Sequence, residues 1–411
     1  MDNLARGLGA NRTVLALSIA RASDALGNSI LFIAIPLYVA QLPSPLLASV
    51  PNSILVGILI SLYGLLFSGL QPLTGAISDR MSRRKPFILI GLLIMGLSTL
   101  SYALATRYVH LIFIRILQGI GVALTVPAAL ALMAKSSEHQ TRGGSMGIYT
   151  AMRMLGFAIG PLISGYLLVN YGFSIVFVVG GAFLFLAVIL VQVLVDEAPA
   201  DVSKIRAQPF KVFDSAVFTR PLIALGVAMF MMASAFTMMT TLEPQFNARL
   251  GQTALGFGLA FSALTLSRLV FQIPLGRLSD RIGRKPPIIV GLILMAPVTA
   301  LLGLAATTLQ LTGLTAVQGL ASAAIAAPGF ALAADLSQHG GEGRQMSIMA
   351  IGFGTGIALG PLIAGVLAIY AFELPFAIGG VLCLIGAWVV SRFVPETILL
   401  SSPEPSTSAA D

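Results

Sequence analysis

The sequence predicts an all-α membrane protein: twelve transmembrane helices in two pseudo-symmetric six-helix bundles. Three observations carry that expectation. Of 411 residues, 57% are hydrophobic and only 10% charged, with a mean hydropathy of +0.94. Soluble domains average about 25% charged residues, so this chain cannot assemble a water-facing surface and its solvent is lipid. Apolar runs of the roughly 20–25 residues that a bilayer-crossing helix needs recur along the whole length. The strands of a membrane barrel would be about ten residues long and alternate in polarity. Finally, several motifs return at an offset near 200 residues.

The first apolar run, 14–40, ends at the uncharged QLPSPLLASVPN; its length, and the second run close behind it, argue against a cleavable signal peptide. The second, 53–75, stops at the charge cluster before Pro86, and the third, 86–106, at Arg107. The fourth, 109–134, stops at Lys135, and the fifth and sixth cover 144–170 and 172–194. Residues 1–194 are thus the N-terminal bundle. The longest polar connector, 195–218, has mixed charge and two prolines and reads as a linker. Six further runs follow at 219–243, 253–276, 286–306, 308–335, 345–371 and 373–394, making 219–394 the C-terminal bundle. The tail, 395–411, is polar and short and reads as disordered.

Lys and Arg set the orientation. One set of loops holds Arg80, Arg83, Arg84, Lys85, Lys135, Arg142, Lys204, Arg206, Lys211, Arg277, Arg281, Arg284, Lys285 and Arg344, while the opposite loops hold little beyond Arg107 and Arg249. The positive-inside rule then predicts a multi-pass protein of the cell membrane with linker, tail and both termini cytoplasmic. The net charge of +8 is mostly this topology signal, so no nucleic-acid partner is expected. A single cysteine, Cys383, and three scattered histidines, His110, His139 and His339, leave no disulfide, metal site or cofactor to expect. No His-rich cluster, Ser-His-Asp grouping or paired midplane carboxylates point to an enzyme.

The internal repeat is explicit. Gly75-Ala-Ile-Ser-Asp79-Arg80-Met-Ser-Arg83-Arg84-Lys85-Pro86 returns as Gly276-Arg-Leu-Ser-Asp280-Arg281-Ile-Gly-Arg284-Lys285-Pro286. Gln118-Gly119 returns as Gln318-Gly319, and Gly156, Gly160, Pro161 and Gly165 return as Gly356, Gly360, Pro361 and Gly365. Halves that share an orientation need an even number of helices each. The loop motif resembles the signature of the major facilitator superfamily, and Arg115-Ile-Leu-Gln118-Gly119 resembles that superfamily's Arg-x-x-Gln-Gly motif. The Gly-Pro segment is similar to a motif of its drug/proton antiporter branch. The resemblance spans about residues 14–394, with Ser82 in place of the usual Gly and Thr315 where the repeat would place a second Arg115.

That resemblance implies the major facilitator fold and alternating access, in a proton-coupled exporter of a small lipophilic molecule or drug. Gly75, Asp79, Arg80, Arg83, Gly276, Asp280, Arg281, Arg284 and Asp335 are then expected as a latch between halves, with Glu138 as a further partner. The glycines at 75 and 276 would let a neighbouring helix come close. Gly156, Gly160, Pro161, Gly165 and their second-half copies are expected as rocking helices, close and deformable at the contact between halves. Charges inside spans cost about 2.5–3.5 kcal/mol at midplane, so they mark a cavity or one another. Asp24, about 15 Å into the first helix, is the only acid deep in a span and the expected proton carrier, with Arg115 its partner. Asn28, Gln118, Arg153, Arg268 and Gln318 are expected around the substrate cavity. Arg153 or Arg268 would pair with Asp24, hold an anionic solute or snorkel to the interface, and Arg21 is expected to snorkel or to pair with Asp24. Glu243 is expected at the outer mouth, gating it or simply solvated. Four in-span arginines against one aspartate also keep open a transporter of an organic anion or metabolite, by uptake or export. The expected partners are protons, a small-molecule substrate and the bilayer, with the protein a monomer.

Overall fold

The computed structural model describes residues 11–43, 47, 49–80, 83–136, 142–197, 219–336 and 342–396, with backbone alone at 79, 142–143 and 342–347. Glu138, most of the linker (198–218) and most of the tail (397–411) lie outside the described residues, and the side chain of Asp79 does too. Among the described residues, twelve helices are long and apolar enough to span a membrane. In the first half they are α1 (Arg12–Val39), α2 (Asn52–Asp79), α3 (Lys85–Ser101), α4 (Tyr108–Ser136), α5 (Arg142–Tyr171) and α6 (Phe173–Leu194). In the second they are α7 (Arg220–Thr241), α8 (Ala254–Ile282), α9 (Lys285–Leu302), α10 (Thr308–Asp335), α11 (Glu342–Leu367) and α12 (Leu374–Phe393). No strand occurs among the described residues. The α2–α3, α4–α5, α8–α9 and α10–α11 connections share one end of the bundle, the basic end; the other end is called the far end.

Several boundaries differ from the sequence expectation, and α9 and α11 each end four residues early, at Leu302 and Leu367. α2 and α8 run to Asp79 and Ile282, past Gly75 and Gly276, because charged side chains at the membrane edge are hydrated and do not interrupt the helical ladder. α8 stops where Gly283 takes φ 105°, a conformation closed to most other residues. α3 tightens into a 3₁₀ turn over Tyr102–Leu104. A short far-end helix, Glu243–Leu250, follows α7. Its signal is present in the sequence, Pro244 in its first turn and Gly251 (φ 58°) just past its end. The turn at Leu242 folds Glu243 inward, so this residue is buried rather than solvated.

The halves are alike in detail. Helix-interior prolines recur as Pro72 and Pro274, Pro127 and Pro328, and Pro161 and Pro361. Two apolar clusters lie in the first half and one in the second, while a fourth draws Ile33 of α1 into the far-end core of the second half.

The Gly-Pro helices divide their glycines between two tasks. A Cβ at Gly156 would sit 2.6 Å from the Ala22 carbonyl oxygen of α1, and one at Gly356 2.6 Å from the Phe230 oxygen of α7. These glycines, with Gly160 and Gly360, therefore lock α5 and α11 to a helix of their own half rather than to the opposite half. The cross-half contact falls to other residues of the same helices. A Cβ at Gly165 would meet the Ala254 oxygen of α8 at 2.7 Å, and one at Gly258 the Pro161 oxygen at 2.6 Å. In the corresponding contact of the other pair, a Cβ at Gly57 would sit 2.6 Å from the Pro361 oxygen, and Ser53 Oγ donates to the Gly365 oxygen at 2.9 Å. These contacts run from the far end toward the middle. Gly75 and Gly276 do not provide the close approach expected of them, since a Cβ there would find only ordinary contact with Pro127 and Ala327 at 3.5 and 3.8 Å.

The packing makes a differential prediction. Gly258→Ala forces a methyl against a carbonyl and should destabilise by about 1–3 kcal/mol, seen as a lower apparent melting temperature in detergent. Gly69→Ala, where nothing lies within 4 Å of the new methyl, should leave melting unchanged or raise it slightly. Equal behaviour of the two variants would contradict the close-packed reading of the far end.

Candidate functional site

α1, α5, α7 and α8 meet at mid-depth, two helices from each half. Asp24 lies twelve residues, or about 18 Å, into α1 and is 2% exposed. It forms an ion pair with Arg21 one turn earlier. Asn28, one turn later, donates from Nδ2 to Asp24 Oδ1 at 2.6 Å. The i−3 and i+4 spacing puts all three on one helix face. Arg21 also lies over the ring of Tyr149 from α5, 5.8 Å from its centroid. Arg21 is thus a paired group within the bundle and does not snorkel.

Arg115 belongs to a second network. Its Nη1 donates to Gln118 Oε1 at 3.0 Å, and Tyr102 donates its hydroxyl to the same oxygen at 2.9 Å. Gln118 Nε2 donates to Thr99 Oγ1 at 3.0 Å. The Arg115 guanidinium rests on Tyr63 of α2, 5.2 Å from the ring centroid. Arg115 is therefore not the direct partner of Asp24, and Gln118, only 1% exposed, is a satisfied buried group rather than a cavity wall. Its repeat mate Gln318 is equally buried, but neither of its side-chain polar atoms has a partner among the described residues.

Arg153 of α5 and Arg268 of α8 stand on opposite sides of the interface. Neither pairs with Asp24, and neither has a hydrogen bond or ion pair among the described residues. Arg153 is within Coulomb range of Arg268, Arg21 and Asp24 and lies 5.8 Å from the centroid of Phe157. That ring belongs to a group the sequence reading missed. Phe32 of α1 packs on Phe157, Phe236 of α7 and Phe261 of α8, with centroids 5.8, 6.1 and 5.7 Å away. The four phenylalanines close the site toward the far end. Nothing in the pattern marked them, because phenylalanine is equally common facing lipid.

At the basic end, Arg284 pairs with Asp280 and, through Nε at 3.2 Å, with Asp335, all within the second half. Arg80, Arg83 and Arg281 are exposed. Two glutamates the sequence reading missed also engage the motif. Glu197 accepts the backbone N–H groups of Arg84 and Lys85 at 2.7–2.8 Å, and Glu396 those of Arg284 and Lys285 at 3.0 Å. A carboxylate thus caps the N-terminus of α3 and of α9. Lys85 and Lys285 reach back to carbonyl oxygens at the ends of α6 and α12, Val195 at 2.7 Å and Ser391 at 2.8 Å. The signal for both glutamates was the recurrence of Val195-Asp196-Glu197 as Val394-Pro395-Glu396.

Comparison with known proteins extends this geometry. Residues 17–257 and 239–409 match the family model described as Major Facilitator Superfamily. The chain is 27% identical over 316 residues to the multi-drug resistance efflux pump PmrA of Streptococcus pneumoniae, covering 76% of this chain and 79% of the relative. It is 25% identical over 322 residues to the uncharacterized MFS-type transporter MJ1560 of Methanocaldococcus jannaschii, covering 76% and 82%. Among solved structures, a bacterial homolog to the human lysosomal transporter Spinster, inward-facing and occupied, superposes with a TM-score of 0.78 at 16% identity. That match covers 96% of this chain and 98% of the other, and it shows a shared fold.

The Arg21–Asp24 pair yields a stability prediction. Asp24→Asn leaves a buried guanidinium without its counter-ion and should cost about 3–5 kcal/mol. Adding Arg21→Gln removes the stranded charge, so the double variant should melt above Asp24→Asn alone. An Asp24→Asn protein as stable as the parent would show that the pair carries no such constraint.

Proposed function

The chain belongs to the major facilitator superfamily, and on that premise we propose that this membrane transporter exports a small lipophilic molecule in exchange for protons. The observation that carries the coupling is Asp24, the only acid deep in a span, buried and ion-paired inside the first half and within Coulomb range of Arg153 on the helix that meets the second half. A carboxylate there has two charge states of very different cost. Ionised, it answers Arg21 and accepts from Asn28. Protonated, it loses its attraction for Arg21 and frees that guanidinium toward Tyr149. The α1–α5 surface thereby responds to a single proton.

Similarity to a multi-drug resistance efflux pump supports export and a drug-like cargo, and the phenylalanines at 32, 157, 236 and 261 supply an apolar wall that suits a lipophilic one. Positive-inside placement puts the basic end and both termini in the cytoplasm. The described packing is then closed on the outer side, through Pro161, Gly165, Pro361 and Gly365. Closing the cytoplasmic side in the other half of the cycle brings together the basic-end motifs, with Gly75, Asp79, Arg80 and Arg83 of one half near Gly276, Asp280, Arg281, Arg284 and Asp335 of the other.

A second reading, transport of an organic anion, is favoured by one observation: Arg153 and Arg268 share the interface with no carboxylate of their own. The two readings differ in sign. Protonating Asp24 adds positive charge, so an anion such as naphthalene-2-sulfonate would bind more tightly as pH falls, whereas a proton-exchanged drug would bind less tightly. Proteoliposomes loaded with a panel of lipophilic cations, neutral compounds and anions, with and without a pH gradient, test the proposal. Asp24→Asn should abolish gradient-driven transport and leave solute exchange intact. An Asp24→Asn protein that matches the parent in both assays would sink the coupling assignment.

A further inference from the structure

Glu243 takes no part in the cycle described above. It opens the short helix where the chain leaves α7 at the far end. The residue is 0% exposed, and neither carboxylate oxygen has a hydrogen-bond partner among the described residues. Its neighbours Leu242 and Phe246 belong to the apolar cluster that crosses between halves, to which α1 contributes Ile33 and Leu37 and α5 contributes Leu168. Phe246 is held in turn by Phe257, Phe372 and Phe376, with centroids 5.9, 4.9 and 5.4 Å away. Glu243 therefore lies under the closure of the outer end, at a break in the helix.

Among the described residues, no counter-ion is supplied from the surrounding elements. Arg249 of the same short helix is already paired with Glu373 at the rim. On α1 the charges are Arg12, Arg21 and Asp24, and the nearest, Asp24, lies nine residues, or about 13 Å, deeper than Ile33. Arg268 of α8 and Arg153 of α5 lie on the other side of Phe261 and Phe157, and α7 carries no charge after Arg220. Burial pushes the Glu243 carboxyl well above its ordinary 4.5, with only the Asn247 side chain pulling the other way. A carboxyl this buried and unpartnered rests in its neutral form.

We infer that Glu243 is a second proton-binding residue, loaded from the outer side, whose protonation is the condition for the outer end to close. The inference rests on the alternating-access reading above but not on Asp24 as the coupling residue. Separating the halves hydrates the carboxyl and lets it ionise near 4.5, whereas the closed state holds the proton to a higher pH. Protons therefore bind the closed state more tightly. Acidic outer pH favours closure, and that preference is lost as pH rises from about 4.5 through the raised value. Because the empty carrier must close its outer end before returning to load cargo, the outer proton supply would drive that return even when Asp24 is ionised.

The test is a distance measurement between spin labels at Asn170 of α5 and Leu309 of α10, both exposed at the far end, with Cys383→Ser removing the native thiol. Double electron–electron resonance in lipid nanodiscs should give a short distance at acidic pH and a growing longer population as pH rises. Glu243→Gln, neutral at every pH, should hold the short distance throughout, while Glu243→Asp should keep a pH profile with a moved midpoint. Asp24→Asn should leave the profile in place. A parent protein whose distances ignore pH, or a Glu243→Gln protein with the parental profile, overturns the inference. A profile flattened by Asp24→Asn alone would assign it to Asp24 and leave the coupling proposal standing.

Discussion

Hydrocarbon offers a charge no partner, so each charge placed inside the spans must be answered by the protein itself. The four in-span arginines are answered to different degrees, and the order is informative. Arg21 has a full counter-ion in Asp24. Arg115 has an amide oxygen and an aromatic face. Arg153 has only the ring of Phe157, and Arg268 has no described partner at all. Compensation thins out from the interior of the first half toward the seam. Charge left unanswered at a seam that opens to water is inexpensive in the open state and costly when occluded, so occlusion is where a counter-charge must supply the difference.

The repeat sharpens the contrast between halves. In the first, Thr99, Tyr102, Arg115 and Gln118 form one closed hydrogen-bond network. Offset by 200 residues, the corresponding positions hold Thr299, Leu302, Thr315 and Gln318. Thr315 turns back to the Ala260 carbonyl at 2.7 Å, leaving the Thr299 hydroxyl and both polar atoms of Gln318 without partners among the described residues. The scaffold positions recur, but the donor that organises them stands in the first half alone. Buried polar groups left in this condition lower the stability of a bundle.

Much of this was legible in the sequence. Twelve spans followed from apolar runs of bilayer length, and the pairing of halves from motifs at one offset, since both signals depend only on residue type and spacing. Asp24 stood out because an acid at that depth is rare. Its partner was harder to name, because Arg21, Arg115 and Arg153 are all within a side chain's reach of the same region and only the rotation of α1 places Arg21 first. The phenylalanines at 32, 157, 236 and 261 were invisible for a different reason. They converge from four helices with no common spacing, and their composition matches that of a lipid-facing surface. Glu243 was misplaced because a single turn at Leu242 decides whether it faces water or core. Glu197 and Glu396 were readable as a repeat and went unread because they lie just past the apolar runs.

The division of labour within the Gly-Pro helices constrains how the halves move. Gly156 and Gly356 bring α5 onto α1 and α11 onto α7 with backbone in direct contact, and close-packed contacts of this kind resist sliding. Each pair therefore travels as a unit, carrying Asp24 with Arg153 on one side. Across the interface the approach is just as close, running from the far end, where Pro161 and Pro361 present carbonyl oxygens to Gly258 and Gly57, to mid-depth at Gly64 and Gly354. A bending helix with a glycine opposite can separate there without stranding large side chains. Motion concentrated at these two proline–glycine contacts would turn Arg153 relative to Arg268 while leaving Arg21 on Asp24, so opening changes the distance between the uncompensated charges and preserves the compensated pair.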